Sequence, residues 1–242
     1  MTELMVALDQ PDYDSALAIV DKTAGVSRWF KVGYESFYSC GDRLLMELRR
    51  RGFSVFLDLK LHDIPNTVAA GVRSAARFDP ALLSVHAAGG REMLAAAAKA
   101  RDEANEDGAQ MRLVAVTVLT SLSPDDLTSI GESPAPHRVV SMRAELAAET
   151  GIDGAVCAVD EVAIVRARTS EGFTIVCPGI RPAGTQRGDQ RRTATPTEAV
   201  MAGADFIVVG RPITQAADPA AAAQAIIDEM HAVKPLGPLG AR

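Results

Sequence analysis

The run Phe56-Leu57-Asp58-Leu59-Lys60-Leu61-His62-Asp63-Ile64-Pro65 holds the densest chemistry in the chain. It reads as a buried strand that ends in opposed charges. On an extended strand Asp58 and Lys60, two apart, point to one face, and Leu57, Leu59 and Leu61 point to the other. A carboxylate and an ammonium buried at a strand end are costly unless they are paired and hydrogen-bonded. Such a pair either seals a barrel end as a structural ion pair or marks acid–base and electrostatic chemistry.

A second set suits an anion. Pro178-Gly179-Ile180-Arg181-Pro182 and Gly210-Arg211-Pro212-Ile213 each follow an apolar run. Gly179 and Gly210 would let backbone N–H groups approach a phosphate, and Arg181 and Arg211 would each add a forked guanidinium. The long segment 178–195, rich in Gly, Arg and Gln, reads as a mobile lid.

The elements that must position these residues are regular. Strand-like apolar runs fall at 4–8, 29–32, 55–59, 82–86, 113–119, 154–157, 173–177 and 206–209. Helical patterns lie between them, at 13–23, 37–51, 66–77, 91–104, 139–150, 162–169, 196–202 and 219–232. Eight strand–helix units in 242 residues imply an α/β fold, a closed (β/α)8 TIM barrel in a single domain over 1–242. An open dinucleotide-binding sheet lacks its Gly-x-Gly-x-x-Gly after the first strand. Asp12 or Asp14 is placed to cap the first helix, Pro65 starts the helix after the charged strand, and Gly52 and Gly151 follow helix ends. The tail 233–242, with two prolines and two glycines, is expected to fray. Barrel sites sit where strands end, and Asp9, Lys31, Asp58, Lys60, Asp63, His86, Thr117, Thr120 and Ser121 fall at such ends.

Composition excludes several classes. A net charge of -6 and a pI near 5.3 argue against nucleic acid as the main partner. No apolar run reaches the ~18–20 residues that span a bilayer, and the start Met1-Thr2-Glu3-Leu4 has no signal-peptide pattern, so a cytoplasmic protein is expected. Cys40, Cys157 and Cys177 have no metal-ligand spacing and read as reduced core or near-core thiols. His62 and His86 have no third ligand beside them and read as hydrogen-bonded structural residues, with His62 facing away from Lys60.

The chain resembles the orotidine 5'-phosphate decarboxylase family. The matching pieces are Leu8-Asp9, Lys31-Val32-Gly33, Asp58 through Thr67, Thr117-Val118-Leu119-Thr120-Ser121, Pro178-Gly179-Ile180-Arg181 and Val209-Gly210-Arg211-Pro212-Ile213. The Asp-x-Lys-x-x-Asp spacing is shared with other phosphosugar barrels, including metal-dependent decarboxylases and aldol-type lyases. Lys31 and the Ile64-Pro65-Asn66-Thr67 continuation point to the orotidylate branch. The resemblance implies conversion of orotidine 5'-phosphate to UMP and CO2 without cofactor or metal. It implies a network of Lys31, Asp58, Lys60 and Asp63, with Lys60 as proton donor. It implies substrate binding by Asp9, Lys31, Ile64, Thr67, Thr120, Arg181, Gln190, Gly210 and Arg211, with Gln190 bridging base and phosphate. It also implies a homodimer in which Asp63 and Thr67 reach into the partner's site. A metal-dependent phosphosugar lyase and a non-catalytic nucleotide- or phosphate-binding barrel remain the competing readings.

Overall fold

The computed structural model describes residues 1–182 and 191–232. In chain order the elements are β1 (Glu3–Ala7), α1 (Tyr13–Thr23), β2 (Trp29–Val32), α2 (Tyr34–Arg50), β3 (Ser54–Leu61), α3 (Pro65–Ala76), β4 (Leu82–His86), α4 (Gly90–Glu106) and β5 (Arg112–Val116). There follow α5 (Pro124–Ser129), α6 (Pro136–Glu149), β6 (Gly154–Val156), α7 (Val162–Arg166), β7 (Thr174–Cys177), α8 (Pro196–Ala202), β8 (Phe206–Val209), α9 (Arg211–Thr214) and α10 (Pro219–Ala232). Single 3-10 turns lie at Ala87–Gly89 and Val159–Glu161. The strands pair in parallel in sequence order and β8 closes on β1, giving the expected barrel.

The strands are apolar on both faces because both faces are covered. Met5, Ala7, Phe56, Leu82, Val114, Val116, Val156, Val176, Phe206 and Val208 fill the interior. Trp29 packs edge-on against Phe206 at 4.7 Å. A larger cluster, including Leu44, Leu48, Val72, Leu94 and Ile226, packs the helices onto the outside. One closure depends on a missing side chain: a Cβ on Gly154 would lie 2.3 Å from the Thr174 carbonyl oxygen, so β6 and β7 could not approach as they do.

Asp12, of the two candidates, caps α1 by accepting from Ser15 N at 2.8 Å. Gly52 and Gly151 follow their helices with φ of 73° and 84°. Several boundaries differ from the sequence reading. The fifth strand stops at Val116 rather than 119; the Thr117 N–H (3.1 Å) makes the last bond of the ladder, to the Val156 carbonyl, which also accepts the Thr117 hydroxyl (2.8 Å). The helix expected at 162–169 ends at Arg166, and α2 begins at Tyr34, three residues early. The short helices α5 and α9 were not expected. The segment read as a lid is pinned at both described ends: Arg181 N donates to Ala194 O at 2.8 Å, and Ile180 bridges Ala194. The tail 233–242 lies outside the described residues.

Candidate active site

Strands β1 to β3 deliver a chain of alternating charges to the barrel mouth. Lys31 of β2 is only 8% exposed. Its Nζ donates to Asp9 Oδ1 at 2.9 Å and lies 3.9 Å from Asp58 Oδ2. Lys60 Nζ donates to that same Asp58 oxygen at 2.8 Å. Burial pushes the Asp58 carboxyl up, but Lys31 and Lys60 beside it, with hydrogen bonds from Lys60 and Ser84, hold it below the usual range. Asp58 is therefore a carboxylate shared by two ammonium groups.

Backbone and packing make this arrangement possible. A Cβ on Gly33 would stand 2.8 Å from Lys31 Nζ and 3.0 Å from Asp9 Oδ1, so the Lys31–Asp9 pair occupies the space that a side chain would take. The buried Ser36 hydroxyl donates to Leu8 O and accepts from Gln10 N at 3.0 Å, tying α2 to the turn that carries Asp9. Tyr34 donates to Leu59 O at 3.0 Å and places its ring 5.4 Å from Lys60 Nζ, a cation–π distance. Lys60 itself has φ of 46°, the left-handed region.

The cavity also has a cationic side. Arg181, Arg211, Gly179, Gly210 and Thr120 line the same cavity, of about 500 Å³, as Asp9, Lys31, Asp58 and Lys60. Burial lowers the Arg181 pKa, and Arg211 nearby lowers it further, as expected where two guanidinium groups converge on space for an anion. Phe56, Val116, Val156 and Val208 add apolar surface to the same cavity. Arg192 fixes the stretch that carries Thr120: its Nη2 reaches the Val118 and Leu119 carbonyls at 3.3 Å, and its Nη1 pairs with the fully buried Glu161. The mouth thus brings a lysine–aspartate chain and an arginine pair to one cavity.

Residues 2–226 match the Orotidine 5'-phosphate decarboxylase / HUMPS family. This chain belongs to that family. An orotidine 5'-phosphate decarboxylase of Vibrio campbellii is 45% identical over 228 residues, covering 94% of this chain and 97% of that protein. One of a Methylobacterium species is 48% identical over 227 residues, 94% of each chain. The crystal structure of orotidine 5'-phosphate decarboxylase from Lactobacillus acidophilus superposes with a TM-score of 0.82 at 37% identity, covering 95% of this chain and 99% of that one.

The residues singled out by likeness to the orotidine 5'-phosphate decarboxylase family fall into groups. Asp9, Lys31, Asp58, Lys60, Thr120, Arg181, Gly210 and Arg211 meet in the one cavity. Asp63, Ile64 and Thr67 do not. Asp63 is exposed and accepts from Ile64 N at 2.6 Å, Ile64 is 67% exposed, and Asp63 and Thr67 lie on a neighbouring recess with Tyr34, Tyr38, His62 and Lys60, which also lines the main cavity. Gln190 lies outside the described residues. His62 is exposed and stacks on His86 at 5.1 Å, while His86 Nδ1 accepts from Ala88 N at 3.2 Å; His86 is the hydrogen-bonded structural residue expected, and His62 is held by stacking. Cys157 and Cys177 are buried, Cys40 is partly so, and all three are free thiols. Ser36, Tyr34, Ser84 and Arg192 escaped the sequence reading. Ser84 alone left a mark there, as a hydroxyl inside the apolar run Leu82-Leu83-Ser84-Val85.

Proposed function

We propose that this chain converts orotidine 5'-phosphate to UMP and CO2, the closing step of UMP synthesis. The observation that carries the reading is that the Asp9–Lys31–Asp58–Lys60 chain and Arg181 and Arg211 line one cavity. The arginine side takes the 5'-phosphate, Asp9 and Lys31 take ribose hydroxyls, and Thr120 reads the pyrimidine edge. That places C6 of the base at Lys60.

The C6–carboxylate bond breaks, its electron pair stays on C6, and CO2 leaves. No carbonyl adjoins that carbon to spread the charge, so the ammonium of Lys60 must stabilise it directly. Lys60 then gives its proton to C6. Asp58 keeps the ammonium in place and also repels the substrate carboxylate. Two like charges at ~4 Å are worth roughly 4 kcal/mol at an effective dielectric of ~20, and that repulsion vanishes as CO2 departs. Contacts to the remote phosphate supply binding energy that holds C6 there.

Asp63 and Thr67, which do not line their own cavity, complete the partner's site in a homodimer on this reading. No cofactor or metal enters it. Lys31 lies between Asp9 and Asp58, where its ammonium supplies the positive charge that a phosphosugar lyase would draw from a metal ion. The described residues contain no helix long and apolar enough to cross a membrane.

The test is the loss of ultraviolet absorbance of orotidine 5'-phosphate in buffer with a chelator. Turnover to UMP is expected. A folded protein that leaves the substrate intact, but acts on a 3-keto sugar phosphate once Mg²⁺ is added, would overturn the reading. Tight UMP binding without turnover of either substrate would make the chain a binding barrel.

A further inference from the structure

Ser84 lies in the middle of β4 with no exposed surface. A buried hydroxyl needs partners, and both of its partners are on β3. Its Oγ donates to Asp58 Oδ1 at 2.8 Å and accepts from the backbone N–H of Lys60 at 2.8 Å. The other Asp58 oxygen is taken by Lys60 Nζ at 2.8 Å, with Lys31 Nζ at 3.9 Å. Both carboxylate oxygens are engaged, so the side chain has one orientation.

The backbone bond answers a defect in the sheet. Leu57 pairs with Leu83 and Leu61 with Val85, so four steps along β3 span two steps along β4. The extra residues bulge, and a bulge leaves amides without ladder partners. Lys60 sits in that bulge with φ of 46°, a conformation disfavoured for a side chain with a Cβ. The Ser84 hydroxyl receives the Lys60 amide there. It is not among the groups lining the cavity.

We propose that Ser84 is a positioning residue for decarboxylation: one hydroxyl fixes the Asp58 carboxylate and the Lys60 backbone together, setting where the Lys60 ammonium stands. The proposal rests on the function given above. It assigns Ser84 to the chemical step and not to nucleotide binding, which on that function falls to Asp9, Lys31, Thr120 and the two arginines.

The experiment compares the parent with Ser84→Ala and Ser84→Thr, each shown to be folded by circular dichroism and thermal unfolding. The readouts are kcat and KM for orotidine 5'-phosphate and the dissociation constant for UMP. Ser84→Ala should lower kcat about 10- to 100-fold, the scale of a lost hydrogen bond to a charged group, with UMP affinity held within about threefold. Ser84→Thr, which keeps the hydroxyl, should recover most of the rate. Ser84→Cys, similar in size but a weak hydrogen-bonding group, replaces Ser84→Ala if that variant does not fold.

A kcat within twofold of the parent overturns the proposal. So does an equal fall in kcat and UMP affinity, or a folded Ser84→Thr as slow as Ser84→Ala. A parent that never turns over substrate sinks the function itself, and this proposal with it.

Discussion

Replacing Gly33 by alanine adds one carbon and no charge, yet should impair the site. The new carbon would stand 2.8 Å from Lys31 Nζ and 3.0 Å from Asp9 Oδ1. Ordinary carbon contacts begin at about 3.5 Å, so the lysine tip, the more flexible neighbour, must retreat by about 0.7 Å. That retreat stretches the 2.9 Å bond to Asp9. At an effective dielectric of ~20 the lost attraction is about 1 kcal/mol, and loss of the hydrogen bond between charged groups raises the total toward ~3 kcal/mol. At ~1.4 kcal/mol per tenfold, kcat/KM for decarboxylation should fall about 5- to 150-fold. The backbone does not oppose the change, since Gly33 has φ of -100° and ψ of -168°, extended values open to any residue. The variant should therefore be folded by circular dichroism at the assay temperature. A folded Gly33→Ala enzyme with kcat/KM within twofold of the parent would refute the claim that the Lys31–Asp9 contact sets the activity.

Three further outcomes are expected. Lys60→Ala should cut turnover by about 10³-fold or more while UMP still binds, as removal of a charge-stabilising general acid implies; residual activity above ~1% would remove Lys60 from that role. Mixing Lys60→Ala with Asp63→Ala subunits should restore about a quarter of parental activity, because half of freely exchanged dimers are mixed and each holds one intact site. No recovery after exchange is shown by mass spectrometry would end the shared-site reading. His86 supplies a pH signature. Burial, with His62, Arg143 and Lys60 around it, lowers its pKa from 6.5 to about 4. Between those values the unfolded chain takes up a proton that the fold refuses, so stability should fall as pH drops through that window and level off below it. His86→Asn, which keeps an acceptor for Ala88 N–H but does not titrate, should lose less stability between pH ~7 and ~4 in denaturant melts. Parallel curves for the two proteins would contradict this account.

The barrel was legible because its strands are continuous apolar runs and its long helices carry their own stop signals. All eight strands lie where apolar clusters mark them, and α1, α8 and α10 match their expected bounds. Helices α5 and α9 are too short to show a period, although Ser123 and Asp126 form a capping box that announces α5. The charge chain could be read because lysine and aspartate are conspicuous among leucines. The alternation rule did set Asp58 and Lys60 on one side, but gave no hint that Lys60 takes a left-handed conformation in a bulge; that depends on register with β4, a long-range property. Ser36, Tyr34 and Arg192 act on residues far along the chain, and serine, tyrosine or arginine in a helix or loop has no local pattern that marks such a partner. Asp63, Ile64 and Thr67 show the converse: they are plain in the motif, but one chain alone leaves them outside its own cavity.

The paired arginines have a consequence for handling the protein. Arg181 and Arg211 face one space and repel each other across it. If they hold the 5'-phosphate as proposed, an oxyanion between them removes that repulsion only in the folded chain and acts as a folding ligand. At a concentration of 100 times its dissociation constant such a ligand adds about 2.7 kcal/mol of stability. Melting temperatures taken in phosphate or sulfate should thus exceed those in chloride at equal ionic strength, and any stability quoted for this enzyme is a joint property of the chain and its buffer.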